Sequence, residues 1–140
     1  MMIRFFNEDV SFNLDRKNLL KSWLENVISI HDSQLNSLNY IFCSDKYLLN
    51  INRKYLSQDY FTDIITFDNS ESSKKIEGDI FISIERVKEN SESIGTNFHQ
   101  ELYRVVIHGL LHLLGLDDKT EADKLLMREK EETCLSLLKI

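Results

Sequence analysis

Residues 105–118 read Val-Val-Ile-His-Gly-Leu-Leu-His-Leu-Leu-Gly-Leu-Asp-Asp, and the rest of the chain is organised around them. His108 and His112 stand four residues apart in an otherwise apolar run. On an α-helix that spacing stacks both imidazoles on one face, a turn apart. Gly115 follows, where a helix can end in a left-handed residue. Asp118 comes soon enough to fold back toward the rings. Two imidazoles on one helical face, a break and a third donor make a facial set for a divalent metal.

A single histidine on an apolar helix face is ordinarily a hydrogen-bonded core residue. Two on the same face, buried without a common partner, would strand several polar nitrogens. A metal takes one nitrogen from each ring at once. Two neutral imidazoles and a carboxylate suit Zn²⁺, one ion per chain, and leave a coordination position for water whose pKa the metal lowers. The same ligands describe non-haem Fe(II) oxygenases, whose usual β-barrel setting is at odds with a helix here. Gly109 stands where His-Glu-x-x-His metalloproteases carry their general base, which disfavours peptidase chemistry by that route. A glycine at that place admits the close approach of a neighbouring element.

Working outward, residues 2–7 are short, apolar and aromatic, and predict a first strand. Asp15 is placed to cap a helix on which Leu19, Leu20, Trp23, Leu24, Val27 and Ile28 recur at helical spacing. His31 lies beyond its end, as a surface residue. Residues 38–44 predict a second strand. Ser44 or Asp45 then caps a helix bearing Tyr47, Leu48, Leu49, Ile51 and Tyr55. A loop over 56–61 leads to a strand over 62–67, a polar loop over 68–75, and a strand over 78–84 expected to be buried on both faces. A helix over 85–93 closes at Gly95, and Asn97 caps the long helix that carries the histidines. Thr120 with Asp123 forms a capping box for a last helix through Leu137. The order β-α-β-α-β-β-α-α-α predicts one α+β domain over 1–140, a four-stranded mixed sheet covered by about five helices.

A chain of 140 residues is long enough to bury a real core. No apolar run reaches membrane-spanning length, and the first residues lack the pattern of a secretory signal, so a cytoplasmic protein is expected, with no membrane partner. Cys43 and Cys134 form no Cys-x-x-Cys pair and read as buried, reduced thiols. The net charge of −6 does not advertise a nucleic-acid binder, although a local cationic patch can act under a negative total.

The stretch His108-Gly109-Leu110-Leu111-His112-Leu113-Leu114-Gly115, with a third donor at Asp118, resembles the signature of the YbeY family of metal-dependent endoribonucleases. Thr62-Asp63-Ile64-Ile65-Thr66-Phe67 is similar to that family's Thr-Asp-Val-Leu-Ser-Phe strand, and Gly78-Asp79-Ile80-Phe81-Ile82-Ser83 to its Gly-Asp-Ile-x-Ile-Ser strand. The resemblance implies a zincin-like fold, a bound Zn²⁺, and processing of the 3′ end of small-subunit rRNA with a link to ribosome quality control. It places the metal on His108, His112 and Asp118, the last standing where the family has a third histidine. An anionic third ligand makes a coordinated water less acidic. The family's arginine before the Thr-Asp strand is Leu56 here, with Arg53 one helical turn earlier, and its proline after the strand is Asp68.

The expected protein is therefore a zinc-dependent endoribonuclease of rRNA maturation. Its partners are rRNA and the ribosomal small subunit or its assembly factors, with no DNA expected. Arg53, Lys54 and Arg86 are the candidate RNA contacts. Attack by a metal-activated water and activation of the RNA 2′-hydroxyl both remain open. The alternative is a ribosome-assembly factor that binds RNA or protein and uses the metal structurally. A metallohydrolase acting on peptides or small molecules is a third class, disfavoured by Gly109.

Overall fold

The computed structural model describes residues 2–72 and 74–140. The elements run β1 (Met2–Asn7), α1 (Lys17–Ile30), β2 (Gln34–Cys43), α2 (Asp45–Leu56), β3 (Ile64–Asp68), β4 (Lys75–Ser83), α3 (Ile84–Ile94), α4 (Phe98–Leu113) and α5 (Glu121–Ser136). The sheet order is β1-β2-β4-β3. β1, β2 and β4 are mutually parallel, and β3 is antiparallel to β4. The expected mixed four-stranded sheet with five helices is thus the observed fold.

One face of the sheet carries the main core. Leu20, Trp23, Leu24, Val27 and Ile28 of α1, and Leu102, Val105, Val106 and Leu110 of α4, pack with Leu38, Tyr40, Phe42, Ile80 and Ile82. Polar groups enter this core only where they are paired. The Tyr40 hydroxyl donates to the Val106 carbonyl at 2.9 Å, and Trp23 Nε1 donates to the Cys134 carbonyl at 2.8 Å. On the opposite face α2 brings Leu48 and Ile51 against Cys43, Ile65, Phe67 and Phe81. β4 alternates between buried Ile76, Gly78, Ile80 and Ile82 and half-buried Glu77, Asp79 and Phe81, so its second face is only partly covered. Both cysteines are free and buried, and burial pushes the Cys43 thiol up to about 12.

Four helix ends follow their sequence signals. The side chains of Ser44 and Asn97 accept from Tyr47 N and Gln100 N, Thr120 and Asp123 form a reciprocal capping box, and Gly95 closes α3. Other boundaries differ from expectation. α1 has Arg16, in a left-handed conformation and with no side-chain cap, where Asp15 was the expected cap. β2 and β4 begin at Gln34 and Lys75, earlier than their apolar runs, because Gln34 pairs with Lys75 and Leu35 with Ile76 before a register shift toward Ser37. Ladder hydrogen bonds thus carry strands into sequence whose side chains signal a loop. Leu56 is the last residue of α2, and Thr62 and Asp63 precede β3. His31 caps the C-terminus of α1, with a ring nitrogen 2.9 Å from the Val27 carbonyl.

Candidate metal centre

Nine residues of α4 are buried, and the helix lies against β3 and β4 with almost no clearance at Gly109. A Cβ there would stand 2.9 Å from Ile80 Cδ1 and 3.0 Å from Ile64 Cδ1. The glycine between the histidines therefore serves the close approach of the sheet. The helix then ends at Leu113, and Gly115 adopts φ 102°, a left-handed conformation that favours glycine. Gly115 N donates to the His112 carbonyl and Leu116 N to the Leu111 carbonyl, so the chain reverses and returns Asp118 to the rings.

The three donors form a compact triangle. His108 Nε2 and His112 Nε2 are 3.1 Å apart, and each lies 3.4 Å from Asp118 Oδ2. Donors about 2.0–2.1 Å from a tetrahedral zinc are separated by about 3.3 Å, so the residues present fit this ion. The His108 tautomer fits as well. Its Nδ1 lies 2.6 Å from Glu131 Oε2 and donates to it, which leaves Nε2 with its lone pair toward the triangle.

Glu131 belongs to a buried charge network behind the rings. Arg104 donates to both oxygens of Glu101, at 2.9 and 2.5 Å, and at 3.2 Å to Glu131 Oε1. Both carboxylates are about 2% exposed. Burial alone would raise the Glu131 carboxyl, but the His108 hydrogen bond and the Arg104 charge outweigh it and hold the carboxyl below its ordinary value. The hydrogen bonds that Arg104 donates to Glu101 likewise hold its guanidinium in the charged form. Glu101, Arg104 and His108 share a face of α4, a spacing visible in the sequence. Glu131 lies on α5, 23 residues from His108, and the sequence carries no sign of this pairing.

The donors open into a cleft of about 440 Å³ whose walls include Asn52, Leu56, Tyr60, Asp63, Thr66 and Asp68. Asp63 is partly buried there. Desolvation raises its carboxyl above the ordinary value, opposed by the charge of Arg104. Sequence reading assigned Asp63 to a strand and gave it no role.

The expected cationic contacts are not brought into this cleft. Arg53 pairs with Asp59 at 2.5 Å on the exposed surface, and Lys54 lies over the Tyr55 ring at 5.3 Å. Arg86 is bound by Asp45 at 2.6 Å and Glu89 at 3.4 Å, and its guanidinium covers the Phe61 ring at 5.1 Å. Arg86 is thus committed to the structure. Arg53 does not fill the place of the family's arginine, where Leu56 lines the cleft.

Comparisons with known proteins agree with this architecture. The family profile described as endoribonuclease YbeY matches residues 3–139. An endoribonuclease YbeY of Cytophaga hutchinsonii is 52% identical over 137 residues, covering 98% of this chain and 96% of that protein. One from Karelsulcia muelleri is 47% identical over 138 residues, covering 99% and 96%. The solution structure of TM1509 from Thermotoga maritima superposes with a TM-score of 0.70 at 29% identity, over 98% of this chain and 89% of that one. With a profile match from end to end and relatives near half identity, the chain belongs to the endoribonuclease YbeY family.

Proposed function

We propose that this protein is a zinc-dependent endoribonuclease that cuts single-stranded RNA during rRNA maturation, at the 3′ end of small-subunit rRNA. One Zn²⁺ per chain is held by His108, His112 and Asp118. The small subunit or its assembly factors are the partners, in a cytoplasmic role tied to ribosome quality control. One observation carries the reading: three protein donors, spaced for a tetrahedral ion, line an open cleft. Structural zinc sites are closed by four protein ligands, whereas catalytic ones keep a position free.

Bound there, Zn²⁺ supplies Lewis-acid polarisation of a phosphate and a nucleophile at neutral pH. The chain's own residues prepare the rest. Glu131 fixes the His108 ring and its Nδ1 proton. Asp63 offers, inside the cleft, a carboxyl that holds its proton above the usual range. Arg53 and Lys54, exposed on the last turn of α2, would meet phosphates that run outside the cleft, Arg53 exchanging its pairing with Asp59 for them.

Replacing His108 and His112 together by alanine is expected to remove zinc and RNA cleavage at once. Undiminished zinc in the purified double variant, measured by elemental analysis, would overturn the metal assignment. The second reading is an assembly factor with a structural metal. It is favoured by the cleft's charge: among the described residues lining it are Asp63, Asp68 and Asp118, and no lysine or arginine. Cleavage of a structured rRNA precursor with and without chelator separates the two. If chelation lowers only the melting temperature and no chelator-sensitive cleavage occurs, the structural role is correct.

A further inference from the structure

Of the four exposed aromatic residues among those described, Tyr60 lines the cleft, and Tyr55 and Phe61 are chain neighbours of its lining residues Leu56 and Tyr60. Tyr55, Tyr60 and Phe61 are 62%, 54% and 53% exposed. Their surroundings hold them in place. Tyr55 meets Phe67 edge-on at 6.1 Å, and Phe61 is backed by Arg86. Tyr60 donates its hydroxyl to Gln58 Oε1 at 2.7 Å, and its carbonyl accepts from Asn52 Nδ2 at 2.9 Å. A side chain held in its bound geometry loses little entropy when a ligand stacks on it.

Asn52 is the second observation. It is 1% exposed and lines the cleft with Leu56 and Tyr60, yet its Oδ1 has no hydrogen-bond partner. The bond to the Tyr60 carbonyl sets which end of the amide is the oxygen, so the orphan is an acceptor. A buried acceptor without a partner is unfavourable until a donor reaches it. An aromatic ring, a leucine and one unpaired acceptor, without any cation, do not suit a phosphate. They suit a flat ring with an N–H on its edge.

We propose that Asn52, Leu56 and Tyr60 form a seat for one nucleobase of a single-stranded RNA, beside the metal donors. The base stacks on Tyr60 against Leu56 and donates an edge N–H to Asn52 Oδ1. This rests on the endoribonuclease reading and deepens it: this wall of the cleft grips the substrate by a base, and the phosphates are met elsewhere.

The test uses the full zinc-loaded chain and fluorescein-labelled oligouridine, with binding followed by fluorescence anisotropy and cleavage by gel. Tyr60→Ala is expected to weaken binding roughly tenfold or more. It should raise KM with kcat retained, and leave the salt dependence of binding unchanged because no phosphate contact is lost. Tyr60→Phe, which keeps the ring, should retain wild-type affinity. Wild-type protein should also bind a base-free ribose-phosphate chain roughly tenfold or more weakly than oligouridine, a comparison that needs no variant. Oligouridine methylated at N3, which lacks the edge donor, should bind more weakly than oligouridine. Equal binding of the methylated strand would remove Asn52 from the seat. If wild type cleaves RNA but Tyr60→Ala binds as tightly, or the base-free chain binds as well as oligouridine, the seat is wrong and the nuclease reading stands. If wild type neither binds nor cuts RNA, both fall.

Discussion

At the scale of single residues, the candidate metal centre depends on groups that never meet the ion. Glu131 meets His108, Arg104 and, at 3.9 Å, Arg128, yet it decides which His108 nitrogen faces Asp118. Glu131→Gln keeps the shape and loses the charge. It is expected to weaken zinc affinity roughly 10- to 100-fold, as carboxylates behind metal-bound histidines commonly do, in competition with a chromophoric chelator. An unchanged affinity would make Glu131 a packing residue only. Asp63 gives a prediction with a definite sign. Its folded carboxyl is raised above the ordinary 3.8, so between that value and the folded one the native state binds more protons than the unfolded state. Stability from this group is present at low pH and lost as pH rises through the folded value. In metal-stripped protein, Asp63→Asn should therefore be more stable than wild type at neutral pH, with the difference shrinking on acidification. Urea titrations at several pH values measure it, and a neutral-pH loss of stability would contradict it.

At the scale of elements, α4 joins core packing to ligand placement. Its buried face presses on β3 and β4 at Gly109, while the histidines project toward the cleft. An alanine at 109 gains up to about 1 kcal/mol of helix propensity. It also puts a methyl group within 3.0 Å of Ile80 and Ile64, and overpacking of this kind costs about 1–3 kcal/mol. Gly109→Ala should thus lose roughly 1 kcal/mol net in urea unfolding. Since the strain lies directly between the two histidines, zinc affinity should fall with it. A stabilised variant with unchanged metal affinity would show that the sheet yields at this point.

At the scale of the whole molecule, the fold is expected to stand without the metal. The apolar residues of α1, α4 and the sheet form a continuous buried core, while His108, His112 and Asp118 line the open cleft. Stripping the metal should lower the melting temperature, by an amount set by zinc concentration and affinity, and leave the far-ultraviolet circular dichroism spectrum in place. Loss of secondary structure on chelation would mean that the ion is part of the fold. The charges are likewise divided. Arg104 is enclosed by carboxylates behind the metal donors, Arg86 is tied to Asp45, and Arg53 and Lys54 remain on the outer turn of α2. RNA affinity carried by exposed cations falls with salt, whereas stacking inside the cleft does not.

The sequence by itself determined the order of the elements, most helix caps, the grouping of the three candidate metal donors and the role of Gly109. Each is a local matter of side-chain periodicity, of a cap within three residues of its partner, or of ligands within eleven residues of one another on one helix and its return. Strand ends at Gln34 and Lys75 were not legible, because cross-strand pairing sets them. Nor were Glu131 behind His108, the desolvated Asp63, or the unpaired Asn52 beside Tyr60. These depend on which distant segments meet and on what is excluded from water between them. Burial and long-range pairing are properties of the packed chain, so only the tertiary structure decided what supports the metal donors and what lines the cleft beside them.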